Sequence, residues 1–83
     1  MQHNLKTIQP YFDRVYNLEK TFEVRKDDRH FQSGDFVILH EYDDKSGSYT
    51  GRKVSGFIRY VLRDYEHISP GYVVFSLDIQ HCE

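Results

Sequence analysis

The alternation of apolar and polar residues divides the chain into one helical segment and several extended ones. Residues 3–8 fit a short first strand, and a helix is expected over residues 9–17 because proline suits a first helical turn. The residues that support this helix are Pro10 in its first turn, then Tyr11, Phe12, Val15 and Tyr16 at helical spacing.

From residue 21 the period changes to two, which is typical of a half-buried strand. Phe22 and Val24 are predicted to face the core, and Thr21, Glu23 and Arg25 to face the opposite side. This segment therefore presents a polar face that deserves a functional reading.

Three further strands are predicted, over residues 36–42, 52–63 and 72–79, with a loop-rich connection over residues 43–51. In the third of these strands Val73, Phe75, Leu77 and Ile79 share the expected core face. The second places Val54, Ile58, Tyr60 and Leu62 on one parity. The predicted core consists of Phe22, Val24, Ile38, Val54, Ile58, Phe75 and Leu77, with the helix covering an opening.

Five short strands and one helix indicate a mainly β, α+β fold. Closing the sheet is the simplest way to protect the edges of short strands, so we predict a small mixed β-barrel with one short helix near the N-terminus. A ferredoxin-like fold needs a second substantial helix, and residues 64–69 are too few for one. The 83 residues suit one domain, residues 1–83.

Composition limits the function classes. Thirteen acidic against eleven basic side chains give a formal charge of −2, which argues against coating long nucleic-acid backbones and leaves only a local contact. The single cysteine, Cys82, cannot form an internal disulfide, and a cytoplasmic location is the expectation. The sequence contains neither a membrane-spanning apolar stretch nor a recognisable targeting signal, so no membrane partner is expected.

A compact polar group marks the first long strand. Lys20 enters at its start, and Thr21, Glu23 and Arg25 follow on one face. A guanidinium suits phosphate or carboxylate, and a carboxylate can accept hydrogen bonds from exocyclic amino groups of bases. The alternative is an ordinary solvated ion pair on the barrel exterior.

Other candidates are weaker. Arg29 lies in a charged connection, and Tyr49 and Arg52 flank a loop tip where they would cap a cleft. A basic stripe of Lys53, Arg59 and Arg63 with Phe57 interleaved is a possible stacking platform, although basic side chains around a partly buried ring explain it equally.

No metal or cofactor is expected. The five histidines show no ligand spacing, and one cysteine adds no tetrahedral set. Residues 43–47 lack the alternating acidic ligands of a calcium loop, and residues 47–51 lack the ending of a phosphate loop.

Several motifs together resemble the ASCH branch of the PUA-like superfamily. They are the lysine followed by Glu-x-Arg (Lys20, Glu23, Arg25), the Gly34-Asp35 turn and, for a bacterial and phage subfamily, residues 3–6, 11–12, 49–52 and 71–74. The family usually has a glycine just before the lysine. Here Asn17-Leu18-Glu19 stands there, and a left-handed turn, if formed, is expected at Asn17.

The resemblance implies a PUA-like barrel with a cleft beside the helix, and a role in binding RNA or a modified nucleoside. The expected binding residues are Lys20, Thr21, Glu23, Arg25, Arg29, Tyr49 and Arg52. One alternative is a small amidohydrolase acting on acylated cytidine, with Lys20 and Glu23 as catalytic candidates. Since Glu23 occupies the position of that family's threonine nucleophile, the usual mechanism is not expected. Another alternative is a protein-interaction domain.

Overall fold

Five strands and one short helix make up the fold, as predicted. The computed structural model describes all 83 residues. The elements are β1 (Gln2–Thr7), α1 (Tyr11–Tyr16), β2 (Phe22–Lys26), β3 (Phe36–Asp43), β4 (Ser48–Leu62) and β5 (Tyr72–Cys82). Residues 63–71, between β4 and β5, contain no helix, so the second helix of a ferredoxin-like fold is absent.

The strands form one mixed sheet in the order β1-β3-β4-β5-β2, curled into a half-barrel. β1 runs parallel to β3, and all other neighbours are antiparallel. The edge strands β1 and β2 are joined by side chains rather than by a backbone ladder. Arg25 Nη1 donates to the carbonyl of Lys6 at 3.1 Å, and Arg29 Nη1 donates to that of Asn4 at 3.0 Å. We call this junction the seam.

The core fills the concave side of the sheet. The helix contributes Phe12 and Val15, both fully buried, so its apolar side packs into the core. The predicted core positions Val54, Ile58, Phe75 and Leu77 are confirmed. The complete set of buried hydrophobic residues is Leu5, Phe12, Val15, Phe31, Val37, Leu39, Val54, Ile58, Val73, Phe75 and Leu77.

The predicted orientation of β2 is wrong. Phe22 and Val24 are 45% and 55% exposed, whereas Glu23 is only 3% exposed. Glu23 lies opposite Phe75 in the ladder, and directly opposed residues point to the same face of a sheet. The polar parity can face inward because the half-barrel is open at the seam and neighbouring cations compensate the Glu23 carboxylate.

The core assignment of Ile38 and the single parity predicted for β4 also need correction. Ile38 is only half-buried, because Val37 and Leu39 are the residues of β3 that face inward. Residues 36–39 are all apolar, so alternation of polar and apolar residues could not show which side of β3 faces the core. In β4 the pairing register shifts between Ile58 and Tyr60, so Tyr60 points outward. Such a bulge inserts one extra residue and reverses the parity beyond it. Leu62, on the same parity as Tyr60, is consequently only half-buried.

The connections are tighter than predicted. β4 begins at Ser48, so the loop expected over residues 43–51 is reduced to a short turn. The helix ends at Tyr16, and the left-handed residue after it is Leu18, with φ of 63°, rather than Asn17, with φ of −89°. The Glu19 amide donates to the Arg14 carbonyl at 2.9 Å, a bond typical of a Schellman-type helix end.

The single helix is six residues long, and no helix meets the length and hydropathy needed to cross a bilayer.

Candidate functional site: a cleft at the seam

A cavity opens at the seam, where β1, the start of α1 and β2 meet. Its volume is about 790 Å³, within the usual range of about 300–1,000 Å³ for small-molecule sites. We call it the seam cleft. Its lining residues are Lys6, Thr7, Ile8, Tyr11, Lys20, Phe22, Glu23, Val24 and Arg25.

Three of the predicted site residues form a connected ion network in this cleft. The Lys20 ammonium contacts Oε2 of Glu23, and Arg25 Nε donates to Oε1 of the same carboxylate at 3.0 Å. The Glu23 side chain is almost fully buried, while those of Lys20 and Arg25 are partly exposed. The solvated exterior pair considered above is therefore excluded for Glu23.

Arg25 also ties the two edges of the half-barrel together. Its Nη1 donates to the Lys6 carbonyl, and its Nη2 donates to Thr7 Oγ1 at 3.1 Å. A guanidinium has five N–H donors, so most of them are engaged within the protein. Arg25 therefore acts mainly as a brace that holds the cleft open at a fixed width.

The lysines keep donors for a ligand. Lys20 uses two contacts, to Glu23 and to the Phe22 carbonyl at 2.7 Å, which leaves one of three ammonium donors unused. The Lys6 side chain makes no hydrogen bond or ion pair, and its Nζ lies 4.5 Å from the centre of the Tyr42 ring on β3, which is not among the residues that line the cleft. Three cations against one carboxylate make the cleft locally positive in a chain of formal charge −2.

Apolar side chains form the rest of the lining. The rings of Tyr11 and Phe22 are exposed in the cleft together with Ile8 and Val24. Flat rings beside ammonium groups provide surfaces on which a planar ligand can stack while its anionic part meets a cation.

The other predicted site residues lie outside the seam cleft. Thr21 is exposed, and its carbonyl accepts the Leu77 amide at 2.9 Å, which extends the pairing of β2 with β5. Arg29 bonds to the Asn4 carbonyl further along the seam, where it braces β1. Tyr49 packs edge-to-face on Tyr42, with ring centres 5.0 Å apart.

Arg52 belongs to a separate cluster between α1 and β4. Its guanidinium lies 4.4 Å from the Tyr16 ring centre and 3.3 Å from an oxygen of Asp13. It also approaches the buried carboxylate of Glu41, which accepts a hydrogen bond from Thr50 Oγ1 at 2.6 Å. Arg52 and Tyr49 therefore do not cap the seam cleft, because both lie on the β3–β4 hairpin, away from β2.

The predicted basic stripe on β4 does not form. Lys53 pairs with Glu83 at 3.5 Å, and Arg63 donates to Asp27 at 3.1 Å and to the Phe31 carbonyl at 2.7 Å. Arg59 remains exposed at the bulge of β4. Structural ion pairs thus use two of the three cations.

A second buried polar pair lies at the start of β1 and β3. His3 Nε2 is 2.8 Å from Oδ2 of Asp35, and its ring contacts that of Phe31 in a tilted arrangement, with ring centres 4.7 Å apart. Burial alone would raise the pKa of Asp35. The hydrogen bonds from His3, the Gln32 amide and the Met1 ammonium outweigh it and hold that pKa below its usual value.

The Asp43 carboxylate caps the β3–β4 turn. It accepts the Lys45 amide at 3.0 Å, and this bond lowers the pKa of Asp43. The carboxylates of this hairpin do not combine with others into a cluster: no group of three or more His, Cys, Asp or Glu is arranged to hold a metal ion.

Six residues of the cleft were not predicted from the sequence: Lys6, Thr7 and Ile8 at and just after the end of β1, Tyr11 on α1, and Phe22 and Val24 on β2. For Phe22 and Val24 the available signal was the closely spaced charged set of Lys20, Glu23 and Arg25. If that polar side of β2 had been placed inward, Phe22 and Val24 would have been predicted to face outward. Nothing in the local sequence brings β1 beside β2, because that proximity depends on the curl of the whole sheet.

Comparison with known proteins gives a family. Residues 2–77 match the family described as "Domain of unknown function (DUF3850)", and the chain belongs to this family. A relative in Escherichia phage P2, "Uncharacterized 12.9 kDa protein in GpA 3'region", is 45% identical over 56 residues. That alignment covers 68% of this chain and spans 50% of the length of the phage protein.

Proposed function

We propose that the seam cleft binds a nucleotide unit, either free or within single-stranded RNA. The observation that carries this proposal is that the lining of one cavity contains two lysines with unused side-chain donors and two exposed aromatic rings, with the Lys20 ammonium 5.1 Å from the Phe22 ring centre. The resemblance to ASCH domains supports the same ligand class. A PUA-like relationship and a cytoplasmic location are part of this proposal.

In this proposal Lys6 and Lys20 contact a phosphate, and the base lies against Tyr11 or Phe22. The two oxygens of Glu23 accept hydrogen bonds from Lys20 and Arg25. Its role is to fix Lys20 and Arg25 in position. Charge-assisted hydrogen bonds to phosphate are roughly twice as strong as neutral ones, which favours nucleotides over nucleosides.

The small number of available cations limits the ligand. With about two phosphate contacts, a plot of log K for single-strand binding against the logarithm of the salt concentration should have a slope of about −1.4. We therefore expect modest affinity and a preference for single strands or mononucleotides over duplex DNA.

Calorimetric titration with the four common ribonucleoside 5′-monophosphates and their nucleosides tests the proposal. Lys20→Ala and Lys6→Ala should each weaken nucleotide binding by about 10-fold or more, since a hydrogen bond to a charged group contributes about 1.5–3 kcal/mol. Lys45→Ala, on the β3–β4 turn, removes the same charge away from the cleft and serves as the control. Equal weakening by all three variants would mean that only overall charge matters, and the cleft assignment would fail.

A second candidate is a water-based hydrolase of acylated cytidine. The contact between Lys20 and the Glu23 carboxylate inside an open cleft favours it. Glu23 would take a proton from water as the oxygen attacks the acyl carbonyl, and Lys20 would polarise that carbonyl; the products are the carboxylic acid and cytidine. This function ranks second because the Glu23 carboxylate must first be freed from its hydrogen bonds with Lys20 and Arg25 before it can act as a general base.

Incubation with N4-acetylcytidine distinguishes the two. The binding proposal expects no turnover by the native protein. Turnover that disappears in both Lys20→Ala and Glu23→Gln would establish the hydrolase and make Glu23 a catalytic base.

A further inference from the structure

The outer face of the sheet beside the seam cleft carries an exposed apolar surface. On β2 it contains Phe22 and Val24, on β5 Tyr72 and Val74, and on β4 Tyr60 and Leu62. Tyr60 is 64% and Tyr72 43% exposed. We call this set of six residues the outer platform.

The ladder registers arrange the platform in rows. Phe22 and Tyr60 both lie opposite Ser76, one on each side of β5. Val24 and Leu62 likewise flank Val74, and Tyr72 lies opposite Lys26. Because neighbouring strands lie about 4.8 Å apart, the Phe22 and Tyr60 backbones are about 10 Å apart, with only a serine side chain between them. This gap admits a flat ring between two aromatic side chains.

Cations border the platform. The Lys20 ammonium lies 5.1 Å from the Phe22 ring centre, at the boundary with the seam cleft. Lys26 and Arg59 are exposed, and their side chains make no hydrogen bond or ion pair. The acidic side chain on the same face of β5 is Asp78, beyond Ser76 and away from Lys26. Aromatic rings with unpaired cations at their edges are the combination by which sequence-tolerant proteins hold single strands.

The size of the platform argues against a second copy of the chain. Its exposed part, estimated from aromatic side chains of about 150–250 Å², is on the order of 400 Å². A stable protein complex needs about 800 Å² from each partner. The platform is therefore too small for a dimer interface by itself, whereas two or three stacked bases fit it.

We propose that the outer platform continues the seam cleft and stacks successive bases of a single-stranded nucleic acid, with Tyr60 and Tyr72 as stacking residues. This inference rests on the proposed function, because the cleft holds one nucleotide and Phe22, which borders both surfaces, connects it to the platform. The ligand class thereby becomes a single-stranded oligonucleotide rather than a free mononucleotide.

Calorimetric titration with UMP and with oligouridines of two, four and six residues tests the inference; oligothymidine of six residues distinguishes RNA from DNA. The hexamer should bind at least about 10-fold more tightly than UMP, since each stacked base contributes about 5- to 150-fold. Tyr60→Ala and Tyr72→Ala should lose this gain and leave UMP binding unchanged. Tyr60→Phe keeps the ring and should retain the gain.

The outcomes separate the two proposals. If UMP binds and Lys20→Ala weakens it, but the hexamer binds no more tightly, the platform inference is overturned and the cleft proposal stands. Native hexamer affinity in both tyrosine variants also overturns the inference. Absence of binding by both ligands overturns both proposals. Self-association that Tyr60→Ala abolishes would assign the platform to a second copy instead.

Discussion

Replacing Glu23 with glutamine tests the network that shapes the cleft. Glutamine keeps the size of the side chain and removes its charge, so the Lys20 and Arg25 cations lose a shared partner in a partly buried site. Hydrogen bonds to charged groups contribute about 1.5–3 kcal/mol, against about 1 kcal/mol for neutral ones, and breaking buried pairs costs about 3–5 kcal/mol. We expect Glu23→Gln to lower the free energy of unfolding by about 2–4 kcal/mol.

Urea denaturation followed by far-UV circular dichroism measures this change. In a domain of this size each kcal/mol shifts Tm by about 4–8 °C, so Tm should fall by at least about 8 °C. Glu19→Gln is the matched control, because Glu19 pairs with Arg14 at 2.8 Å while both side chains are more than half exposed. The control should change the free energy of unfolding by less than about 1 kcal/mol.

A thermodynamic cycle adds a specific check of the Lys20–Glu23 contact. Lys20→Met and Glu23→Gln should be non-additive by about 1–2 kcal/mol when combined. If Glu23→Gln costs no more than Glu19→Gln, or if the two cleft variants are additive, the ion network does not hold the cleft together and the reasoning is refuted.

Three other predictions concern the fold. Gly56→Ala should lower the free energy of unfolding, measured by urea denaturation, by about 2–4 kcal/mol. A Cβ at this position would collide with the Asp78 carbonyl oxygen and lie 2.9 Å from the Ile79 Cα. A loss below about 1 kcal/mol would contradict this prediction. Leu18→Gly should raise the free energy of unfolding by about 0.5–1 kcal/mol and Tm by a few degrees, because glycine adopts the left-handed backbone conformation of this position without the steric cost that leucine has. Leu18→Ala keeps a Cβ and should not raise Tm. For Asp35, whose folded pKa is lowered, the stabilisation is complete above the unfolded pKa of about 3.9 and is lost as pH falls through the folded value. Unfolding free energies from pH 2 to 6 should therefore drop below about pH 4 in the native protein and vary less in Asp35→Asn; identical profiles would refute this assignment.

The strands of the fold could be predicted because their periodicity is local. β5 alternates cleanly, so the inward positions of Phe75 and Leu77 followed directly. The orientation of β2 could not be predicted in the same way. An apolar parity normally faces inward, but here the buried carboxylate of Glu23 is compensated by cations, and Phe22 and Val24 are left on the outer face. The bulge at Arg59 likewise has no local sequence signal.

Part of the candidate site could be predicted because it depends on residues close together in the sequence. Lys20, Glu23 and Arg25 are close in sequence and remain together in space. The wall supplied by β1 and α1, with Lys6 and Tyr11, comes from residues distant from them along the chain. Such contacts depend on how far the sheet curls, which a single sequence does not specify.

The most direct test of the central claim is an NMR titration of ¹⁵N-labelled protein with a ribonucleoside monophosphate. The amides of residues 6–8, Tyr11 and residues 20–25 should shift progressively and saturate together with one dissociation constant, while those of the turn around Lys45 should not move. Shifts confined to the β3–β4 hairpin, or none at saturating concentrations of all four monophosphates, would contradict nucleotide binding at the seam cleft.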